Sequence, residues 1–233
     1  MKHCSVPQLI VVDGLSGSGK TTTCRWLEQQ LHQRQLAPHA VYEADVPHPL
    51  HWWHYWDGAH HQAPDFDRVS PAHSMQTSIE KWTQFIDYLH QSDEIVVVEG
   101  VFYCLAVWFF LQGDVAAQDI AAYIHQVEAI MAPVTPLLIY LRQDTIAEHT
   151  RKVWSSRDAT VEQELIANME RTRYFRRRQL RGFDGVIALW QDTQALTDAL
   201  FAHHRLRKVA IEVTEGNWEV YYQEILTTVL GET

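Results

Sequence analysis

A glycine-rich loop near the start of the chain constrains its fold more than any other segment. Residues 14–21 read GLSGSGKT and match the pattern G-x-x-x-x-G-K-[ST] at every position. A short apolar run at 9–12 precedes the loop, and a helical pattern over residues 20–36 follows it. A buried strand, a glycine-rich turn and a helix in this order are typical of a parallel sheet that is covered by helices.

The residue types of this loop indicate a site for a phosphate chain. Glycines let successive backbone N–H groups converge on a phosphate, and the N-terminus of the following helix adds a partial positive charge. Lys20 would reach the β- and γ-phosphates, and the hydroxyl of Thr21 would ligate Mg²⁺. The alternative is a glycine-rich turn that only caps the helix. The residues that we predict to bind ATP or another nucleoside triphosphate are Gly14, Leu15, Ser16, Gly17, Ser18, Gly19, Lys20, Thr21 and Thr22.

Apolar runs alternate with helical patterns along the rest of the chain. Further strands are predicted at 40–43, 94–99, 136–141 and 207–213. Further helices are predicted at 74–90, 102–111, 115–131, 145–154, 161–180, 191–204 and 218–230. This alternation predicts an α/β three-layer sandwich with a five-stranded parallel sheet, in a single domain that spans residues 1–233.

Composition limits the partners and the compartment of the chain. With 19 Lys and Arg against 29 Asp and Glu, the net charge of −10 argues against a general nucleic-acid or membrane-surface binder, although an anionic small ligand needs only a local positive site. The longest apolar run, 101–111, is about half the length that crosses a bilayer, and the first seven residues lack a signal-peptide pattern. Cys4, Cys24 and Cys104 form no disulfide pattern. We therefore expect a cytoplasmic protein without a membrane partner.

Four carboxylates lie at or just beyond the predicted ends of strands: Asp13, Glu43, Asp45 and Glu99. Ligands of open α/β sheets bind at the carboxyl ends of the strands. Phosphoryl transfer uses one carboxylate beside the magnesium and, for a hydroxyl acceptor, another that takes the proton. Glu99 ends a strongly apolar strand, so we predict that it supports Mg²⁺ or its water, and that Glu43 or Asp45 is the base. The alternative for each is a strand-end cap or a salt-bridged loop carboxylate.

The segment 48–73 is rich in histidine and tryptophan. Its tryptophans are Trp52, Trp53 and Trp56. Its first three histidines are His48, His51 and His54. One interpretation is an aromatic wall that stacks a planar acceptor, with His48 as a polar contact. The histidine spacing leaves zinc ligation open, although no cysteine accompanies it, and a third interpretation is an aromatic loop that packs on the edge of the sheet.

Six arginines lie within the eleven residues 171–181: Arg171, Arg173, Arg176, Arg177, Arg178 and Arg181. On one helix Arg173, Arg177 and Arg181 would share a face that excludes Arg178, so the six cannot all reach one phosphate. One interpretation places one or two of them over a triphosphate. A second is a solvated basic face that pairs with acidic residues. An RNA-binding stripe is disfavoured by the net charge of −10.

Residues 13–22, which read DGLSGSGKTT, resemble the P-loop of thymidylate kinase and its relatives, which begin with an acidic residue and carry G-S-G-K-[ST]-T. Glu43, followed by Pro47 and Trp52, is loosely similar to deoxyribonucleoside kinases, in which a strand-end glutamate acts as base toward the nucleoside hydroxyl. The run 139–142, IYLR, resembles a strand of the same superfamily that leads into an arginine-bearing lid.

The resemblance implies a P-loop kinase that transfers the γ-phosphoryl group of ATP to a nucleoside or nucleotide, with Mg²⁺ as cofactor. It implies a lid-like helical region at about 142–182, in which Arg151 and Arg157 neutralise charge in the transition state. It also implies that part of the apolar helical surface forms a homodimer interface.

The chain departs from these kinases at two positions. Glu99 is followed by Gly100, where the kinases carry an arginine, and Glu43 is followed by Ala44 rather than by proline. Two alternatives therefore stand beside the nucleoside or nucleotide kinase. One is a kinase of an antibiotic or another metabolite, and the other is a regulatory protein that binds and hydrolyses a nucleoside triphosphate without a small-molecule acceptor.

Overall fold

The structure, a computed structural model, describes residues 6–52, 69–155 and 158–231. The strands are β1 (Leu9–Gly14), β2 (Pro38–Val41), β3 (Ile95–Glu99), β4 (Leu137–Arg142) and β5 (Arg207–Glu212). The α-helices are α1 (Lys20–Gln33), α2 (Pro71–His90), α3 (Cys104–Gln112), α4 (Ala117–Met131), α5 (Ile146–Ser155), α6 (Ala159–Glu170), α7 (Arg173–Arg178), α8 (Gly182–His203) and α9 (Trp218–Leu230).

The five strands form one parallel sheet in the order β2-β3-β1-β4-β5. β1 lies at its centre, where all six of its residues are buried, because an apolar β-branched strand is favoured where both faces are covered. Its last residues pair in register with β3 and β4, with Val12 opposite Glu99 and Gly14 opposite Leu141. The loop that follows β1 therefore starts beside the carboxylate that ends β3.

Helices cover both faces of the sheet. Val12 belongs to the same buried cluster as Leu27 of α1 and Ile225 of α9. Val11, whose side chain points to the opposite face, belongs to a second cluster with Trp82 of α2. The described residues thus confirm the prediction of an α/β three-layer sandwich with a five-stranded parallel sheet.

The helices near the arginine cluster differ from the prediction. The structure has two helices where one helix over 161–180 is predicted: α6 ends at Glu170, and α7 begins at Arg173 and ends at Arg178. The Thr172 hydroxyl donates to the Met169 carbonyl where α6 ends, and Gln179 has a φ of 54° where α7 ends.

Arg173, Arg177 and Arg181 consequently do not share the face of one helix, which corrects the interpretation drawn from their spacing. Arg177 and Arg178 instead donate to the two carboxylate oxygens of Asp114, at 2.5 and 2.7 Å, as the solvated and paired interpretation expects.

Cys24 and Cys104 are buried free thiols, and Cys4 lies outside the described residues. Within the described part of the chain, every helix is too short or too polar to cross a membrane.

Candidate functional site

The loop between β1 and α1 is held from outside by two helices. Gly17 has a φ of 79°, and a Cβ placed there would lie 2.4 Å from Cγ2 of Val153 in α5. Gly19 has a φ of 94°, and a Cβ there would lie 2.3 Å from the indole ring of Trp218 in α9. Both positions therefore require glycine for the backbone conformation and for the close approach of a neighbouring side chain.

The start of α1 supplies backbone donors to the inner side of the loop. Gly19 is the N-cap residue, and within the described residues no side chain caps the helix. The N–H groups of the first helical turn have no partner inside the helix, so those of Lys20 and Thr21 are free to bind an anion.

Lys20 places a positive charge at the centre of the loop. Its Nζ donates to the Leu15 carbonyl at 3.1 Å and lies 3.8 Å from Oε2 of Glu43. Burial lowers the pKa of Lys20, but the carboxylates of Glu43 and Asp13 more than offset this, so the pKa is raised and the side chain is charged at neutral pH. A buried ammonium surrounded by backbone donors fits a phosphate chain.

Thr21 and Glu99 lie together beside Lys20. The Thr21 hydroxyl donates to Oε1 of Glu99, and Oε2 of Glu99 accepts the backbone N–H of Glu43 at 3.3 Å. The parallel register explains this contact, because it brings the end of β3 next to the start of α1. A hydroxyl and a carboxylate are oxygen ligands of the kind that Mg²⁺ uses while it keeps several waters, so the pair fits a magnesium ion.

Glu43 and Asp45 both line the site but differ in their contacts. Oε2 of Glu43 lies 3.2 Å from the point that a Cβ on Gly100 would occupy. Burial raises the pKa of Glu43, Lys20 opposes that rise, and Glu99 adds to it. Oδ2 of Asp45 instead accepts the backbone N–H of Tyr42 at 2.7 Å and so closes a turn. Glu43 is the carboxylate that faces the loop.

Asp13 is fully buried and serves the backbone. Its carboxylate accepts the N–H groups of Gly14, Tyr103 and Cys104 at 2.8, 2.8 and 2.9 Å. The last two belong to the start of α3, where a carboxylate also interacts favourably with the helix dipole. These contacts agree with the alternative interpretation, in which Asp13 caps the end of a strand.

A cavity of about 420 Å³ extends from the loop. Its lining residues are Gly14, Ser16, Gly17, Lys20, Thr21, Arg25, Tyr42, Glu43, Ala44, Asp45, Glu99, Gly100, Cys104, Leu105 and Trp190. Beyond the loop, the lining includes the polar side chain of Arg25 and the apolar side chains of Leu105 and Trp190. The Trp190 ring stacks on Trp108, with centroids 5.9 Å apart and an angle of 15° between the planes.

Trp190 is not among the site residues predicted from the sequence. The predicted helix 191–204 starts nine residues later than α8 and leaves Trp190 in a connecting loop. A helical pattern carried back to Gly182 would have placed this tryptophan on the same helix as the core residue Leu189.

Trp52, by contrast, lies in the core. It is 4% exposed and stacks on Phe110 with an angle of 12° between the planes, and the residues that line the cavity do not include it. Three further residues of the proposed aromatic wall and histidine spacing lie outside the described residues: Trp53, His54 and Trp56.

His48 and His51 stack on each other with ring centroids 3.9 Å apart. Burial, with the nearby Lys81, lowers the pKa of His48 to about 4, and burial beside His48 lowers that of His51 to about 3. In the described ranges, no group of three or more His, Cys, Asp or Glu side chains is arranged to hold a metal ion.

Helix α5 lies against the loop through residues that the sequence analysis did not identify. Nε2 of His149 lies 3.0 Å from the carbonyl oxygen of Ser16, and Val153 lies against Gly17. Arg151 is exposed and is two positions from both His149 and Val153, so it lies on the other side of the helix. Arg157 lies outside the described residues. No sequence motif marks His149, since its role depends on how α5 packs.

Comparison with known proteins relates this chain to others through its fold. No protein-family model matches it, and no curated protein matches its sequence. Thymidylate kinase from Candida albicans is 12% identical with a TM-score of 0.55, and the match covers 97% of this chain and 92% of that one. Deoxyadenosine kinase from M. mycoides with bound dATP is 12% identical with a TM-score of 0.53, over 95% and 98%.

A third structure, the YorR protein of Bacillus subtilis in complex with phosphorylated GDP, is 11% identical with a TM-score of 0.50, over 95% of both chains. At such identities the likeness is one of fold. The chain has the fold of P-loop nucleoside and nucleotide kinases, as the resemblance of its loop implied.

Proposed function

We propose that this protein is a kinase that transfers the γ-phosphoryl group of ATP to a nucleoside or nucleotide, with Glu43 as the base where the accepting group is a hydroxyl. One observation carries the proposal: Lys20, Thr21, Glu43 and Glu99 line a single cavity at the carboxyl ends of β1 and β3. This arrangement joins a phosphate-binding loop, an oxygen pair suited to a cation and a carboxylate suited to act as base. The fold, shared with structures of kinases over nearly the whole chain, supports it.

In this mechanism the loop and Lys20 hold the phosphate chain, and Thr21 and Glu99 hold the magnesium ion. Mg²⁺ supplies positive charge to the phosphate oxygens when it is bound. The acceptor oxygen forms a bond to the γ-phosphorus, the bond from that phosphorus to the bridging oxygen breaks, and ADP leaves. The hydroxyl proton passes to the carboxylate of Glu43. Burial raises the pKa of Glu43, which brings its basicity closer to that task than an ordinary carboxylate.

Glu43 is a better candidate for the base than Asp45. A base must lie within reach of the acceptor hydroxyl next to the γ-phosphate, and Glu43 is the carboxylate that faces Lys20. Asp45 already accepts a backbone N–H in its turn and would contribute to the polar wall. Arg157 remains a proposed source of positive charge for the transition state, and Arg151 would have to reach it from the side of α5 opposite His149 and Val153.

The shape of the cavity supports an acceptor with a planar part. Trp190 and Leu105 line the cavity with apolar surface against which such a group can stack, and Arg25 and Tyr42 add polar groups to the same lining. A nucleoside has this combination of a flat base and hydroxyl groups. An antibiotic or another hydroxylated metabolite satisfies the same chemistry and stays as an alternative acceptor.

The free thiols of Cys24 and Cys104 support a reducing compartment, so we expect the reaction in the cytoplasm. Sedimentation analysis would test the homodimer that the resemblance implies. Nucleic acid is not an expected partner, given the net charge of −10.

The test of the function is an acceptor panel. Release of ADP from Mg-ATP is measured alone and with each of a set of nucleosides and nucleoside monophosphates, and Lys20→Ala serves as the control for contaminating kinases. We expect at least one acceptor to raise ADP release above water hydrolysis and to appear as its phosphorylated product. ATP binding with slow hydrolysis that no acceptor accelerates would instead favour the regulatory protein, an alternative suggested by Gly100 in place of arginine.

A further inference from the structure

We infer that His149 positions the P-loop for phosphate binding through its hydrogen bond to the Ser16 carbonyl. The inference rests on the proposed function in one respect, namely that the loop binds a triphosphate. His149 lies on α5, outside the loop motif, and its ring nitrogen Nε2 is 3.0 Å from the Ser16 oxygen. A carbonyl oxygen can only accept, so Nε2 carries the proton and donates.

The geometry of one peptide group connects this bond to the phosphate site. The C=O of Ser16 and the N–H of Gly17 belong to the same planar trans peptide, so they point in opposite directions. A carbonyl held outward by His149 therefore directs the Gly17 N–H inward, where Ser16 and Gly17 line the cavity. Because Gly17 readily adopts either sign of φ, its own backbone preference does little to hold this peptide plane.

The helix α5, which carries His149, packs against the core. Ile146, Thr150 and Trp154 of α5 are buried, and Trp154 packs edge-to-face against Phe183 of α8 with centroids 5.4 Å apart. The helix that carries the His149 ring is therefore held partly by a core contact outside the loop that the ring touches. This makes His149 a positioning residue, which acts on the phosphate through the Ser16–Gly17 peptide.

The test compares three variants by the affinity for Mg-ATP in calorimetry and by the melting temperature. His149→Phe keeps a ring of similar size but cannot donate. His149→Gln restores an N–H near the position of Nε2. Lys152→Leu is the matched control, because Lys152 is exposed on the same helix and does not line the cavity.

We expect His149→Phe to weaken Mg-ATP binding about fivefold, the typical effect of one hydrogen bond, with His149→Gln near wild type and Lys152→Leu unchanged. In turnover with an acceptor, KM for ATP should rise while KM for the acceptor stays the same. Wild-type affinity in His149→Phe would overturn the inference. So would a loss of affinity that tracks a lower melting temperature and that glutamine does not restore, because this describes a merely structural residue. If the wild-type protein itself fails to bind Mg-ATP, the proposed function fails first, and the inference fails with it.

Discussion

Replacement of Gly17 by alanine tests whether the loop is held as closely from outside as the structure indicates. Two costs add at this position. An L-residue at a φ of 79° costs about 1–2 kcal/mol. A methyl carbon 2.4 Å from Cγ2 of Val153 overpacks the contact between the loop and α5, for a further cost of about 1–3 kcal/mol. Alanine also lowers the conformational entropy of the unfolded chain, which stabilises the folded state by about 0.5–1 kcal/mol. We expect the free energy of unfolding to fall by about 3 kcal/mol.

The control is Gly216→Ala. Gly216 has a φ of 70°, close to that of Gly17, but a Cβ there would meet no atom within 4 Å. This variant isolates the backbone cost and should lose about 1 kcal/mol. The free energy of unfolding is measured by urea denaturation at equilibrium, with the slope checked for two-state behaviour.

A double-mutant cycle then separates the clash from the backbone cost. Val153→Ala removes both γ-carbons that the new methyl group would approach, so the double variant should be more stable than the sum of the single effects by about 1–3 kcal/mol. If Gly17→Ala loses no more than Gly216→Ala, or if the two effects simply add, then α5 does not contact the loop as described, and the argument for His149 weakens with it.

Three further predictions concern charge. Lys20→Ala should weaken Mg-ATP binding by about 10- to 100-fold in calorimetry while circular dichroism shows a folded protein, since a buried charged donor to the phosphates is lost; unchanged affinity would mean that the loop is not the site. Glu43→Gln should spare ATP binding and slow phosphoryl transfer, and normal turnover in this variant would remove Glu43 from the mechanism. Because the pKa of Glu43 is raised, the rate of the wild-type protein should fall on the acidic side with an apparent pKa above the 4.5 of an ordinary glutamate. Folding lowers the pKa of His48 from 6.5 to about 4 and that of His51 to about 3. Below pH 6.5 the unfolded chain therefore binds more protons than the folded protein does. The free energy of unfolding should fall as the pH drops from 6.5 to 4. Urea denaturation at several pH values measures this, and an equal loss in the double variant His48→Gln/His51→Gln would refute that origin.

Much of the candidate phosphate site could be predicted from the sequence because the residues that form it are local. The glycines, Lys20 and Thr21 are consecutive, and the strand before them and the helix after them are periodic enough to identify. Glu99 could also be placed, since a carboxylate at the end of a parallel strand lies at the same edge of the sheet as the loop.

The remaining parts of the site depend on packing between distant segments. Nothing near His149 in the sequence indicates that α5 lies against the loop, and nothing near Trp190 indicates that it faces the cavity. The start of α8 was misplaced because the chain there is interrupted by Gly182 and Gly185. Position 185 requires glycine because a Cβ there would lie 2.6 Å from a ring atom of Phe175. This contact between two helices cannot be predicted from the sequence around Gly185.

The buried carboxylate of Asp13 has a consequence for how the protein can be redesigned. By accepting N–H groups from Gly14 and from Tyr103 and Cys104 together, it links the end of β1, where the loop begins, to the start of α3. If the proposed function holds, Leu105, which follows Cys104 and lines the cavity, is the position to exchange for a change in acceptor preference, because this link would be kept. Asn in place of Asp13 would keep one accepting oxygen and put an amide NH₂ where the other accepts, so one end of this link would be lost and position 13 is best left unchanged in a redesign.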